Sequence, residues 1–160
     1  MSKGLEQTFV MLKPETVMHG LIGEVTARIE KMRFTILSMR MIWVTPKQAE
    51  KLYEMHKGKP FYDKLIGHIL SGPVIVMIVQ GASVVKGMRQ IIGATDPAEA
   101  EAGTIRGDYG LTKTENVIHA ADSLKNAERE IRIFFRSDEI LSYKKPANRN
   151  TLSKNSKKVC

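Results

Sequence analysis

Apolar positions along the chain change their period several times, and each change marks an element. Thr8–Lys13 (TFVMLK) is a short apolar run stopped by Pro14, which predicts a buried strand. After Gly20, the residues Ile22, Val25, Ile29 and Met32 recur at helical spacing and predict an amphipathic helix. Phe34–Val44 (FTILSMRMIWV) alternates and is rich in β-branched residues. Leu37, Met39, Met41 and Trp43 then share one face of a half-buried strand. Thr45-Pro46 opens a helix, with proline at the first helical position, predicted to run to Gly58. A second helix is expected over FYDKLIGHILS, ended by Gly72-Pro73.

Pro73–Gln80 (PVIVMIVQ) is apolar without alternation, as a central strand covered on both faces would be. A helix is expected around SVVKGMRQII, and then Gly93–Asn116 runs for more than twenty residues with little apolar content. Structureless loops beyond ~12–15 residues in a compact domain are usually functional or disordered. VIHA is the last strand candidate, and the final helix starts at Asp122-Ser123 with Ala127, Ile131, Phe134 and Phe135 as its buried stripe. The order β-α-β-α-α-β-α-loop-β-α predicts an α+β sandwich with helices packed on a four-stranded, mainly antiparallel sheet. There is no internal repeat.

At 160 residues the chain is long enough for one domain with a real core. Apolar residues make up 42% of it, and no run approaches the ~18 needed for a membrane-spanning helix. Lys13 and Pro14 break the N-terminal apolar run, which does not read as a signal peptide. The single cysteine, Cys160, cannot build a disulfide framework or a zinc site, which points to a reducing, cytoplasmic setting. The net charge of +8 is concentrated at one end: residues 144–160 carry six Lys or Arg and no acid, leaving +2 for residues 1–143. The expected organisation is a domain over 1–143 followed by a basic, disordered tail over 144–160.

Candidate chemistry follows from a few residues. Of the four histidines, His68 sits among apolar helix residues and reads as structural, while His19 in a turn reads as a surface or capping residue. His56 lies at a helix end beside Lys57 and Lys59, where it could meet a phosphate or simply end the helix. His119 precedes a helix start by three residues, and the free N–H groups there suit an anion. A satisfied histidine at a strand end fits equally. The long loop carries Thr95, Thr104 and Arg106, the last flanked by Gly103 and Gly107. Glycines permit close backbone approach to a ligand, and guanidinium groups clamp phosphate oxygens in pairs. Arg106-Gly107-Asp108 matches an adhesion tripeptide, read here as coincidence. Neither a Walker A pattern nor a dinucleotide fingerprint occurs.

TFVMLKPETV, GKPFYDKLIGHILSGPV, GATDPAEAEAGTIRGDYG and ENVIHAADS together resemble the nucleoside diphosphate kinase family, colinearly from Gln7 to Tyr143. The resemblance implies a ferredoxin-like α/β fold. It also implies γ-phosphate transfer from a nucleoside triphosphate to a nucleoside diphosphate through a phosphohistidine, which falls on His119. Lys13 matches the lysine that binds the sugar and the transferring phosphate, Asn116 the ribose-binding asparagine and Phe61 the base-stacking aromatic. His56, Arg89, Thr95 and Arg106 match phosphate contacts, Tyr53 the tyrosine beside the histidine and Glu130 the carboxylate behind it. Glu130 lies on the flank of the last helix's buried stripe, where it can face the sheet and fix the imidazole tautomer. The family further implies Mg²⁺ carried on the substrate phosphates, with no dedicated protein cage. It implies a homo-oligomer as well, either a hexamer or a tetramer, with the loop around Pro97 favouring the hexamer.

Three departures stand out. Ala121 replaces the usual serine, whose hydroxyl bridges the carboxylate and the phosphate, so an active but slower kinase is expected. Glu15-Thr16 replaces Asp-Gly and His19 replaces an arginine, which puts loop shape and assembly contacts in question more than chemistry. The alternative reading is a kinase-like module that binds nucleotide, or nucleic acid or an anionic surface through its tail, without useful turnover.

Overall fold

The structure is a computed structural model that describes residues 4–145. Four strands form one sheet in the order β2-β3-β1-β4, from β1 (Leu5–Leu12), β2 (Thr35–Ile42), β3 (Val74–Ala82) and β4 (Ile118–Ala120). Every pairing is antiparallel. The central strands alternate between two cores, as a sheet buried on both faces requires. Phe9, Met11, Val76 and Ile78 face one side, while Val10, Leu12, Met77 and Val79 face the other. On the first side lie α3 (Pro46–Leu52), α4 (Tyr62–Leu70) and α7 (Leu124–Phe134). On the second lie α2 (Ile22–Lys31) and α5 (Val84–Ile92). Two five-residue helices complete the fold, α1 (Pro14–Met18) and α6 (Ile105–Tyr109).

The expected α+β sandwich is present, with four local differences. Pro14 stops the first strand and also opens α1, which occupies too few residues to show a helical period. The helix expected to reach Gly58 stops at Leu52 and gives way to a 3₁₀ turn over Glu54–His56. Tyr53 leaves helical geometry there, and its ring is buried at the end of the sheet. The loop over Gly93–Asn116 is not structureless. The Thr104 side chain accepts from Gly107 N and caps α6 within it.

The fourth difference concerns β2. Leu37 is buried, but Met39, Met41 and Trp43 are 43%, 54% and 66% exposed. The pairing with β3 slips between Ile36 and Ser38, so Leu37 is an extra, unpaired residue. One such residue reverses which side chains face the core beyond it. Ile42 and Val44 therefore pack inward instead of the odd-numbered residues. The last helix behaves as its stripe predicts: Ser123 Oγ accepts from Asn126 N, and Ala127, Ile131, Phe134 and Phe135 are buried. The disorder expected of the basic tail lies outside the described residues beyond Lys145. Among the described residues, no helix is long and apolar enough to cross a membrane.

Candidate active site

The residue after β1, strand β4, the second half of α7, the C-terminal half of α5, the turn after α3 and the loop holding α6 converge on a cleft of about 500 Å³. Its walls include Lys13, Tyr53, His56, Phe61, Arg89, Thr95, Arg106, Asn116, His119 and Glu130, all ten of the residues matched by the family resemblance, while the loop candidate Thr104 caps α6 outside it.

His119 sits on β4, paired with Met11 of β1. Its Nε2 lies 2.7 Å from Glu130 Oε2, and Glu130 is only 2% exposed. Glu130 does face the sheet, as its place beside the helix stripe suggested. The Tyr53 ring meets the imidazole edge-on at 5.8 Å. Burial, reinforced by the Glu130 carboxylate, pushes the Tyr53 phenol well above its usual range, and its buried hydroxyl has no hydrogen-bond partner among the described residues.

The cations are arranged before any substrate arrives. Lys13 Nζ donates to Asn116 Oδ1 at 2.6 Å and to the Thr114 carbonyl at 2.9 Å. Asn116 Nδ2 in turn donates to the Thr95 carbonyl. Burial lowers the Lys13 pKa to about 8, with Glu15 opposing the shift and Arg106 adding to it. Arg106 donates to the carbonyls of Asn116, Gly93 and Ile118, which uses three of its five N–H groups. Burial, helped by the nearby Arg89, lowers its pKa to about 10. Arg106 therefore points inward, and the adhesion tripeptide has no exposed arginine side chain to offer. Gly107 serves the loop and not a ligand: a Cβ there would lie 2.1 Å from the Glu101 carbonyl oxygen.

Phe61 is 48% exposed at the mouth of the cleft, with the His56 ring 5.4 Å away. An aromatic face left open beside cationic walls offers a stacking surface to any base. His56 lines the cleft and also ends the 3₁₀ turn. Burial, then the positive charge of Lys59, lowers its pKa. His68 and His19 lie outside the cleft. His68 Nε2 is 2.6 Å from Glu15 Oε2, and His19 caps the C-terminal end of α1.

A sequence profile described as nucleoside diphosphate kinase matches residues 6–140. The chain belongs to the nucleoside diphosphate kinase family. The nucleoside diphosphate kinase of Thermosipho africanus is 51% identical over 139 residues, covering 87% of this chain and 95% of that one. That of Archaeoglobus fulgidus is 49% identical over 141 residues, covering 88% and 93%. Among solved structures, a halophilic nucleoside diphosphate kinase from Halobacterium salinarum in complex with CDP superposes with a TM-score of 0.86. It is 40% identical and the match covers 89% of this chain and 95% of that one. The ferredoxin-like fold follows from this likeness together with the sheet order.

Within the nucleoside diphosphate kinase family, the departures of this chain acquire definite places. Ala121 is buried, and its N–H donates to the Phe9 carbonyl. The second oxygen of Glu130 has Arg129 Nη2 at 3.4 Å. Arg129 also donates to the Lys51 carbonyl, tying α7 to the end of α3. Glu15 and Thr16, read from sequence as affecting loop shape, both bond the backbone of Val117. Sequence reasoning read Glu15 and Thr16 as loop substitutions and His68 as structural, but it missed their contacts and the tie of Arg129 to Lys51, because each of those partners is remote in the chain. Asp122 was missed too. It lines the cleft, its carboxyl held below the usual range by the Asn126 amide.

Proposed function

We propose that the chain transfers the terminal phosphate of a nucleoside triphosphate to a nucleoside diphosphate through a covalent phosphate on His119. The supporting observation is the 2.7 Å contact between His119 Nε2 and the buried Glu130, inside a cleft walled by Lys13, Arg89 and Arg106. That contact occupies Nε2 and leaves the lone pair of Nδ1 as the nucleophile. Nδ1 attacks the γ-phosphorus, and the bond to the β–γ bridging oxygen breaks with its electron pair leaving on the diphosphate. The Nε2 proton stays toward Glu130, whose charge offsets that of the imidazolium. A second nucleoside diphosphate binds in the same place, and its terminal oxygen takes the phosphoryl group by the reverse step. Phosphoryl transfer asks a protein mainly for positioning and charge stabilisation. Lys13, His56, Arg89, Thr95 and Arg106 meet the phosphate chain, Asn116 and Lys13 the ribose, and Phe61 the base, while the Tyr53 ring packs edge-on against the imidazole.

The family's reaction requires a divalent metal. Among the described residues, no group of three or more His, Cys, Asp or Glu side chains gathers to hold one. Glu130 is committed to His119, which leaves Asp122 as the cleft carboxylate that a hydrated cation would meet. This donor set suits Mg²⁺ brought in on the phosphates, where it would neutralise charge along the chain. A homo-oligomer, as a hexamer, accounts for Met39, Met41 and Trp43 standing exposed on an edge strand. A cytoplasmic location supplies the nucleotides.

The test is incubation with γ-labelled ATP and Mg²⁺, followed by acid and alkali treatment. Acid-labile, alkali-stable label on the wild type and none on His119→Ala supports the reading. An equally labelled His119→Ala overturns it. The alternative of a binding module without turnover has no feature of the cleft in its favour, since Ala121 leaves the His119–Glu130 contact intact.

A further inference from the structure

The backbone reaches His119 through a strained residue. Val117, two positions earlier, has φ +75°, and Ile118 N donates to the Asn116 carbonyl at 2.9 Å to close a γ-turn around it. The positive-φ γ-turn is rare and strained, and for a β-branched residue any positive φ is an outlier. Such conformations persist only where the surroundings over-determine them.

The surroundings do so here. Val117 N donates to Glu15 Oε1 at 2.8 Å, and the Val117 carbonyl accepts from Thr16 Oγ1 at 2.6 Å and Lys13 N at 2.9 Å. Glu15's other oxygen is held by His68 Nε2 at 2.6 Å, from α4, 53 residues along the chain. The side chains of Glu15 and His68 are 9% and 14% exposed, and neither lines the cleft. Burial alone would raise the Glu15 pKa. The bonds from His68 and from Val117 N–H outweigh it and hold the carboxyl below its usual range. Residues on both sides of Val117 do the work of the cleft, Asn116 toward the ribose lysine and His119 toward the phosphate.

We propose that the Glu15–His68 pair is a positioning device for the reaction at His119, holding Val117 in its left-handed turn so that Asn116 and His119 face one cleft. It rests on the reading of His119 as the phosphate carrier. The pair touches no substrate. Two plainer roles compete with it: a buried ion pair that only stabilises the fold, and a negative charge that only supports protonated Lys13.

A glycine at position 117 separates the three. Glycine takes positive φ without the Cβ penalty, so a chain carrying Val117→Gly has little need of a clamp. The measurement is the single-turnover rate of His119 phosphorylation at saturating ATP and Mg²⁺, in wild type, Glu15→Ala, Val117→Gly and the double variant. Glu15→Ala is expected to slow the step at least tenfold in the wild-type background and less than threefold in the Val117→Gly background. His68→Phe keeps the volume and removes only Glu15's partner. It should give a smaller loss, again suppressed by Val117→Gly, and it decides the matter if Glu15→Ala does not fold. Equal factors in both backgrounds would overturn the proposal in favour of a plain stability or charge effect, as would a Glu15→Ala rate equal to wild type. Were the wild type itself to take no phosphate, the kinase reading would fall, and the clamp would be judged on amide exchange. Exchange at Val117 must then speed up at least tenfold in folded Glu15→Ala or His68→Phe, and unchanged protection refutes the clamp.

Discussion

Replacing Glu130 by glutamine isolates the charge behind the imidazole. Glutamine keeps the volume, and its amide oxygen can still accept from Nε2, so the ring should hold its orientation. What disappears is one negative charge 2.7 Å from a ring that becomes cationic as Nδ1 attacks phosphorus. In the ground state the imidazole is neutral and the loss is modest. In the transition state the bond is charge-assisted, worth about 1.5–3 kcal/mol. At ~1.4 kcal/mol per factor of ten, Glu130→Gln should slow phosphorylation roughly ten- to a hundredfold. Because the side chain is 3% exposed, solvent offers little replacement for the charge. The assay is quenched-flow labelling from γ-labelled ATP across a range of ATP concentrations. The maximal rate should fall and the half-saturating concentration should stay within about twofold, the signature of an interaction made only in the transition state. A folded Glu130→Gln protein labelled at the wild-type rate would refute the reasoning. So would a loss confined to ATP affinity.

Two further outcomes follow from the same cleft. Ala121→Ser should raise the phosphorylation rate, with a ceiling of about a hundredfold from one restored charge-assisted hydrogen bond, and an unchanged rate would show that the hydroxyl is not missed here. Lys13 gives opposite pH responses for binding and for stability. Its folded pKa is about 8 against an ordinary 10.5, so ADP affinity should fall as pH rises through 8, and Lys13→Arg should remove that inflection in a titration. Between about 8 and 10.5 the unfolded chain holds the extra proton, so this residue's contribution to stability grows with pH there, on the order of 3 kcal/mol in all, as denaturant melts at pH 7.5 and 10 would show.

Long amphipathic elements were legible in the sequence because their period survives without knowledge of neighbours. The stripe of Ala127, Ile131 and Phe134 fixed the inner face of α7 and with it the direction of Glu130. The slip at Leu37 was not legible, since an unpaired residue in β2 depends on its pairing with β3 and leaves no mark in alternation. Five-residue helices such as α1 and α6 are shorter than two turns and show no period. In the site, the residue types came from family resemblance, and the cleft gathers all ten of them. The partners that hold them were beyond sequence reasoning. Lys13 and Asn116 are 103 residues apart, and Glu15 and His68 are 53 apart. Glu15 looked like a loop substitution until its carboxylate was placed against Val117.

The tethering of Arg106 to three carbonyls and of Lys13 to Asn116 and Thr114 bears on how often the enzyme must rebuild its own site. A free long side chain loses roughly 0.5–1.5 kcal/mol of rotamer freedom when a ligand immobilises it. These two have surrendered it during folding, once per molecule instead of once per turnover. A catalyst that admits a triphosphate and then a diphosphate through the same opening gains from that economy twice in each cycle, and neither direction of transfer is favoured by it.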